Sequence, residues 1–188
     1  ELIDPWGTPV LAPADTDRIT IYTFGALRDS AGMARAKQLY RDAGEVLTGA
    51  GFGDSVRFVY ITVDPDHDSP EALRLAAEEF AAETRSADGV RLPEFTFLTG
   101  SWVAVRMTVG AGFGVYYEAD TRGAAGTHGK STAPSGGPGT ESAPGAEPGG
   151  GLGARPPAYD PVVIVVDQNH VIRARYALGQ ATPQALLR

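Results

Sequence analysis

The chain has 188 residues, 43% of them hydrophobic, and no cysteine. It therefore has no disulfide, thiolate metal site, Cys nucleophile or dithiol redox centre, and three scattered histidines (His67, His128, His170) offer little for a compact imidazole centre. Sixteen Lys and Arg against 23 Asp and Glu give a net charge of -7, which repels phosphates and argues against nucleic acid and anionic membrane as partners.

The elements read off in chain order. Leu2, Ile3 and Val10 flank Asp4-Pro5-Trp6-Gly7, predicting two short strands around a turn. Arg18 to Phe24 is a β-rich central strand. Asp29 or Ser30 can then cap a helix whose apolar rungs are Met33, Ala36, Leu39, Ala43 and Val46, ended by Gly49-Ala50-Gly51. Val56 to Val63 is a second buried strand, rich in β-branched and aromatic residues. Ser69-Pro70 opens a helix through Leu75 and Phe80. Phe95 to Leu98 is a short strand, Ser101 caps a helix running toward Thr108, and Phe113 to Tyr117 reads as a strand after it. Val162 to Val166 and Val171 to Tyr176 form a hairpin, and Thr182-Pro183 opens a final short helix.

This alternation predicts an α/β layer fold, a mixed central sheet flanked by helices with a C-terminal β-hairpin and helix. A thioredoxin-like arrangement fits, whereas a small flavodoxin-like domain lacks the terminal hairpin and helix. One domain spans 1–188, interrupted by residues 121–158. That stretch holds 11 Gly and 6 Pro with Leu152 its one large aliphatic side chain, so it is expected to be a disordered insertion. Read as an interdomain linker, it would leave a C-terminal remainder too small for its own core.

Four segments in this order carry a resemblance. Asp64-Pro65-Asp66-His67-Asp68-Ser69-Pro70-Glu71, Phe97-Leu98-Thr99-Gly100-Ser101, Phe113 to Tyr117, and Val165-Val166-Asp167 with His170-Val171-Ile172-Arg173 resemble consecutive motifs of the SCO/SenC family. The last of these follows a family pattern of Leu-Val-Asp-x-x-Gly-x-Ile/Val-Arg. The family comprises thioredoxin-fold proteins that deliver copper to cytochrome oxidase. Its working segment, Cys-Pro-x-x-Cys-Pro, falls here on Leu27-Arg28-Asp29-Ser30-Ala31-Gly32, so the two cysteine positions are Leu27 and Ala31. The family's ligand histidine falls at about Tyr159. Leu, Ala and Tyr lack the soft anionic donors that select copper.

The resemblance thus implies a non-catalytic, cysteine-less domain acting in interaction or assembly, linked to respiratory oxidase or membrane-complex biogenesis, with no cofactor. It implies a protein partner, an oxidase subunit or another assembly factor. It also implies an extracytoplasmic place, held by an anchor outside this sequence, with no membrane contact by this portion itself. The alternative is a copper metallochaperone using Met33 and His128, or ligands shared with a partner. Against it, Met33 fits a core-facing rung of the first helix and His128 a solvent-exposed loop position.

Other residues invite attention. Asp64, Asp66, His67 and Asp68 could hold a divalent cation, but lack the glycine and closing Glu of an EF-hand loop. They equally suit a strand end leading into a helix cap. Arg28, Asp29 and Ser30 lie where functional loops gather, and Arg28 either binds an acidic or phosphorylated partner or pairs with Asp29 or Asp17. Arg173 and Arg175 read as the solvent face of the hairpin. Trp6 and Trp102 read either as contact-surface markers or as partly buried packing residues. The glycines between Gly110 and Gly114 precede a strand, whereas a phosphate-cradling loop follows one.

Overall fold

The computed structural model describes residues 1–10, 17–83, 91–118 and 157–186. The expected insertion, and with it His128, lies outside the described residues except for Pro157 and Ala158. Seven strands form one sheet: β1 (Leu2–Ile3), β2 (Pro9–Val10), β3 (Ile19–Gly25), β4 (Val56–Thr62), β5 (Glu94–Gly100), β6 (Val162–Val166) and β7 (Ile172–Ala177), in the order β2-β1-β5-β4-β3-β6-β7. The three central strands are parallel, Ile21 pairing with Phe58 and Phe58 with Phe95. Antiparallel pairs close both edges, β6 beside β3 and β1 beside β5.

Parallel neighbours need crossovers, and two helices supply them: α1 (Ser30–Gly49) between β3 and β4, and α2 (Pro70–Glu83) between β4 and β5. The side chains of β3 and β4 alternate between two cores, as strand geometry requires. Tyr22, Phe24, Val59 and Ile61 join Val105, Val109 and Phe113 on one face. Ile21, Phe58 and Tyr60 join Leu39, Tyr40, Leu47 and Phe80 on the other. The short α4 (Pro183–Leu186) ends the described chain.

One element departs from expectation. The helix α3 (Trp102–Val105) widens into a π-helix over Arg106–Gly112, and Phe113 to Tyr117 is not a strand. The N–H groups of Phe113, Gly114 and Val115 donate back to Thr108, Gly110 and Val109, so the segment completes the helix end. Only Tyr117 makes a β-bridge, to Tyr159.

Candidate functional site

The C-terminal ends of β3 and β4 lie side by side in register, Gly25 beside Thr62, so the loops that follow them meet. Asp29 caps α1, its carboxylate accepting from the Gly32 N–H at 2.9 Å. Its other oxygen accepts from the hydroxyl of Tyr159 at 2.6 Å. Tyr159 is held there by the Tyr117–Tyr159 bridge and by reciprocal backbone bonds, Glu118 N–H to Ala158 and Asp160 N–H to Tyr116. Gly25 and Gly32 leave room for it: a Cβ on Gly25 would stand 2.9 Å from its hydroxyl, and one on Gly32 2.5 Å.

The β4–α2 loop contributes two buried carboxylates. Asp68, fully buried, accepts from the Leu27 N–H at 3.0 Å and from the Thr62 hydroxyl at 2.5 Å. Burial raises its pKa above the ordinary carboxylate value, against the opposing pull of those two hydrogen bonds. Asp64 takes two donors from Arg28, Nε at 2.9 Å and Nη2 at 2.6 Å, both on Oδ2. His67 Nδ1 lies 2.8 Å from its Oδ1. Arg28 thus pairs with Asp64 across the loops, which corrects the expected pairing with Asp29 or Asp17. Sequence proximity misled there, because in-register parallel strands bring residues 36 positions apart together.

Two phenols share this region. Burial raises the Tyr159 phenol above its usual range, and the adjacent Asp29 carboxylate adds to the shift. Tyr60 is raised as well, first by burial and then by Tyr159, Asp68 and Asp29. Neither the Tyr60 hydroxyl nor Asp68 Oδ1 has a hydrogen-bond partner among the described residues. Sequence reasoning missed Tyr60 and Thr62, whose apolar-strand setting gave no sign that they cluster at a strand end.

The positions assigned to ligands are placed as follows. Leu27 is partly buried against the α1 core, Ala31 is exposed, and Tyr159 is hydrogen-bonded to Asp29. Ser30 is exposed at the start of α1. The first two side chains carry no donor atom, and the third offers a neutral phenol. This set does not fit a copper ion. Met33 packs partly buried against the α1 core. Among the described residues, no three His, Cys, Asp or Glu side chains gather closely enough to hold a metal ion.

The remaining candidates lie elsewhere. Arg173 pairs with Asp167 at 2.5 Å within the hairpin, and Arg175 donates to the carbonyls of Phe113 and Gly114, tying the hairpin to the end of the π-helix. Trp6 is 68% exposed in the β1–β2 turn, which corrects the packing reading for that residue: Leu2, not Trp6, is the side chain this hairpin buries.

A SCO1/SenC family model matches residues 30–133. The chain belongs to the SCO1/SenC family. No curated protein sequence matches it. Among solved structures, this SCO1/SenC chain resembles Arabidopsis thaliana ScoI with copper bound, at 18% identity and a TM-score of 0.63, covering 98% of this chain and 89% of that one. Yeast Sco1 with copper bound matches at 15% identity and 0.63, covering 97% and 79%. Apo Sco1 from Thermus thermophilus matches at 21% and 0.62, covering 98% and 84%. These likenesses show a shared fold. The copper of the Arabidopsis and yeast structures is a feature of those proteins.

Proposed function

We propose that this chain is a non-catalytic SCO-like domain that acts by interaction or assembly in the biogenesis of a respiratory oxidase or another membrane complex. One observation carries the reading: the family scaffold is kept while Leu27 and Ala31 supply no donor and Tyr159 is engaged by Asp29 at 2.6 Å. A fold preserved around a vacated ligand set retains its surfaces, and surfaces are what an assembly factor uses. Membership of the family supports the general assembly role. The partner is a protein, an oxidase subunit or another assembly factor. The domain works outside the cytoplasm, held at the membrane by a segment beyond this sequence.

Deleting the gene in the source organism tests this. The expected result is a loss of the oxidase haem signal in membrane difference spectra, restored by the intact chain and not by added copper. An unchanged haem signal overturns the assembly role. Rescue by excess copper alone overturns the metal-independent reading in favour of copper delivery.

A further inference from the structure

The helix after β5 presents an unusual outer side. Ser101 caps α3, accepting from the Ala104 N–H at 3.2 Å. Ala104, Val105, Val109 and Phe113 turn into the core. On a helix with one buried stripe the opposite face is ordinarily polar. Here it carries Trp102, Val103 and Met107, exposed by 37%, 63% and 62%, and Tyr116 beyond the helix is 62% exposed. The helix widens to π geometry beneath them, a form that recurs at functional sites.

Of these, Trp102, Met107 and Tyr116 wall a groove of about 420 Å³, lined also by Arg106, Val115 and Tyr117 among others, a volume within the range of ligand-binding clefts. The Arg106 guanidinium lies 5.0 Å over the Trp102 ring, and it forms no ion pair among the described residues. The Tyr117 hydroxyl is buried without a hydrogen-bond partner. Among the described residues no Asp or Glu lines the groove, although the chain as a whole carries seven excess negative charges. An apolar wall with a guanidinium that forms no ion pair among the described residues is complementary to an apolar side chain beside a carboxylate, and Arg binds carboxylates in a planar, two-pronged manner.

We infer that the groove along α3 and its π-helical extension is the docking surface for a partner's extended peptide segment, one that places a large apolar side chain beside a carboxylate. The inference deepens the interaction role proposed above by naming a surface, and it rests on that reading. The Tyr117–Tyr159 bridge links one wall of this groove to the residue that holds Asp29.

The test uses the whole chain, isotope-labelled for NMR, titrated with the capped peptide Ser-Leu-Phe-Glu-Gly and with its Gln-for-Glu counterpart. The Glu peptide should shift the Trp102 indole and the backbone amides of residues 106–117, and the Gln peptide should bind about tenfold more weakly, the loss of one charge-assisted pair. Arg106→Gln, at an exposed position, should erase that difference without changing the melting temperature. Equal binding of the two peptides, shifts confined to another surface, or no shifts at all would each overturn the assignment. So would binding of phosphatidylglycerol vesicles through this face without any response to peptide. Because the titration reads the groove directly, its failure removes this surface and leaves the deletion phenotype as an independent measure of the assembly role.

Discussion

The hydroxyl of Tyr159 meets the carboxylate of Asp29 across 130 positions of sequence, and this one contact does much to fix the loop after β3. Asp29 already caps α1 through the Gly32 N–H, so Tyr159 holds a residue that the helix also needs. A partly buried phenol donating to a carboxylate contributes about 1–2 kcal/mol. Tyr159→Phe should lower unfolding stability by that amount in denaturant titration at neutral pH, with amide exchange speeding up over residues 27–32. An unchanged midpoint would mean that the backbone bridges at Tyr117 and Ala158 hold the loop without the side chain. None of this was readable from the sequence. Composition excluded thiolate chemistry, and the resemblance located the missing ligands at Leu27, Ala31 and Tyr159. What replaced them depends on a long-range pairing that no local pattern encodes.

Elements with strong periodicity were the legible ones. The apolar rungs of α1, the β-branched runs of β3 and β4 and the Ser69-Pro70 start of α2 each specify a local structure that packing then reinforces. Phe113 to Tyr117 was misread because its apolar alternation suits a strand as well as a helix end. Gly114, at φ +62°, turns the chain there and ends the helix instead. The pairing of β1 with β5 was equally invisible, since two-residue strands carry no register signal. The β6–β7 turn shows the reverse case. Asp167 organises it, accepting from the N–H groups of Asn169 and Val171 at 2.9 Å each. This geometry puts His170 at φ +63°, the one described non-glycine residue with positive φ, at the point where the family pattern has glycine. An L-residue held there costs about 1 kcal/mol, partly offset in a glycine variant by a looser unfolded chain. His170→Gly should therefore raise stability by about 0.5–1 kcal/mol, seen as a higher denaturation midpoint with an unchanged slope. A lower midpoint would show that the histidine ring makes a stabilising contact of its own.

At the scale of the whole molecule, the α1 core gives the fold a dependence on alkaline pH. The α1 core is built on Tyr40, which packs edge-on against Phe58 and Phe95, with ring centroids 5.1 and 5.0 Å away. Its hydroxyl donates to the Pro93 carbonyl at 2.7 Å, joining α1 to the start of β5. Burial raises this phenol from 10.0 to about 12. Between those values the unfolded chain releases a proton that the folded chain retains, so stability falls as pH rises through that window. For Tyr40 alone the loss is about 1.4 kcal/mol near pH 11 and somewhat over 2 kcal/mol near pH 12. Tyr40→Phe removes both the alkaline loss and the hydrogen bond, which contributes about 1 kcal/mol. The variant should therefore be less stable than the natural chain at pH 7 by about that amount, match it near pH 11, and exceed it above. Tyr60 and Tyr159 add to the alkaline loss in both proteins and cancel in the comparison. Denaturant titrations at pH 7, 10 and 11.5 measure the difference, and a constant gap across that range would show that Tyr40 ionises no later in the folded chain than in the unfolded one.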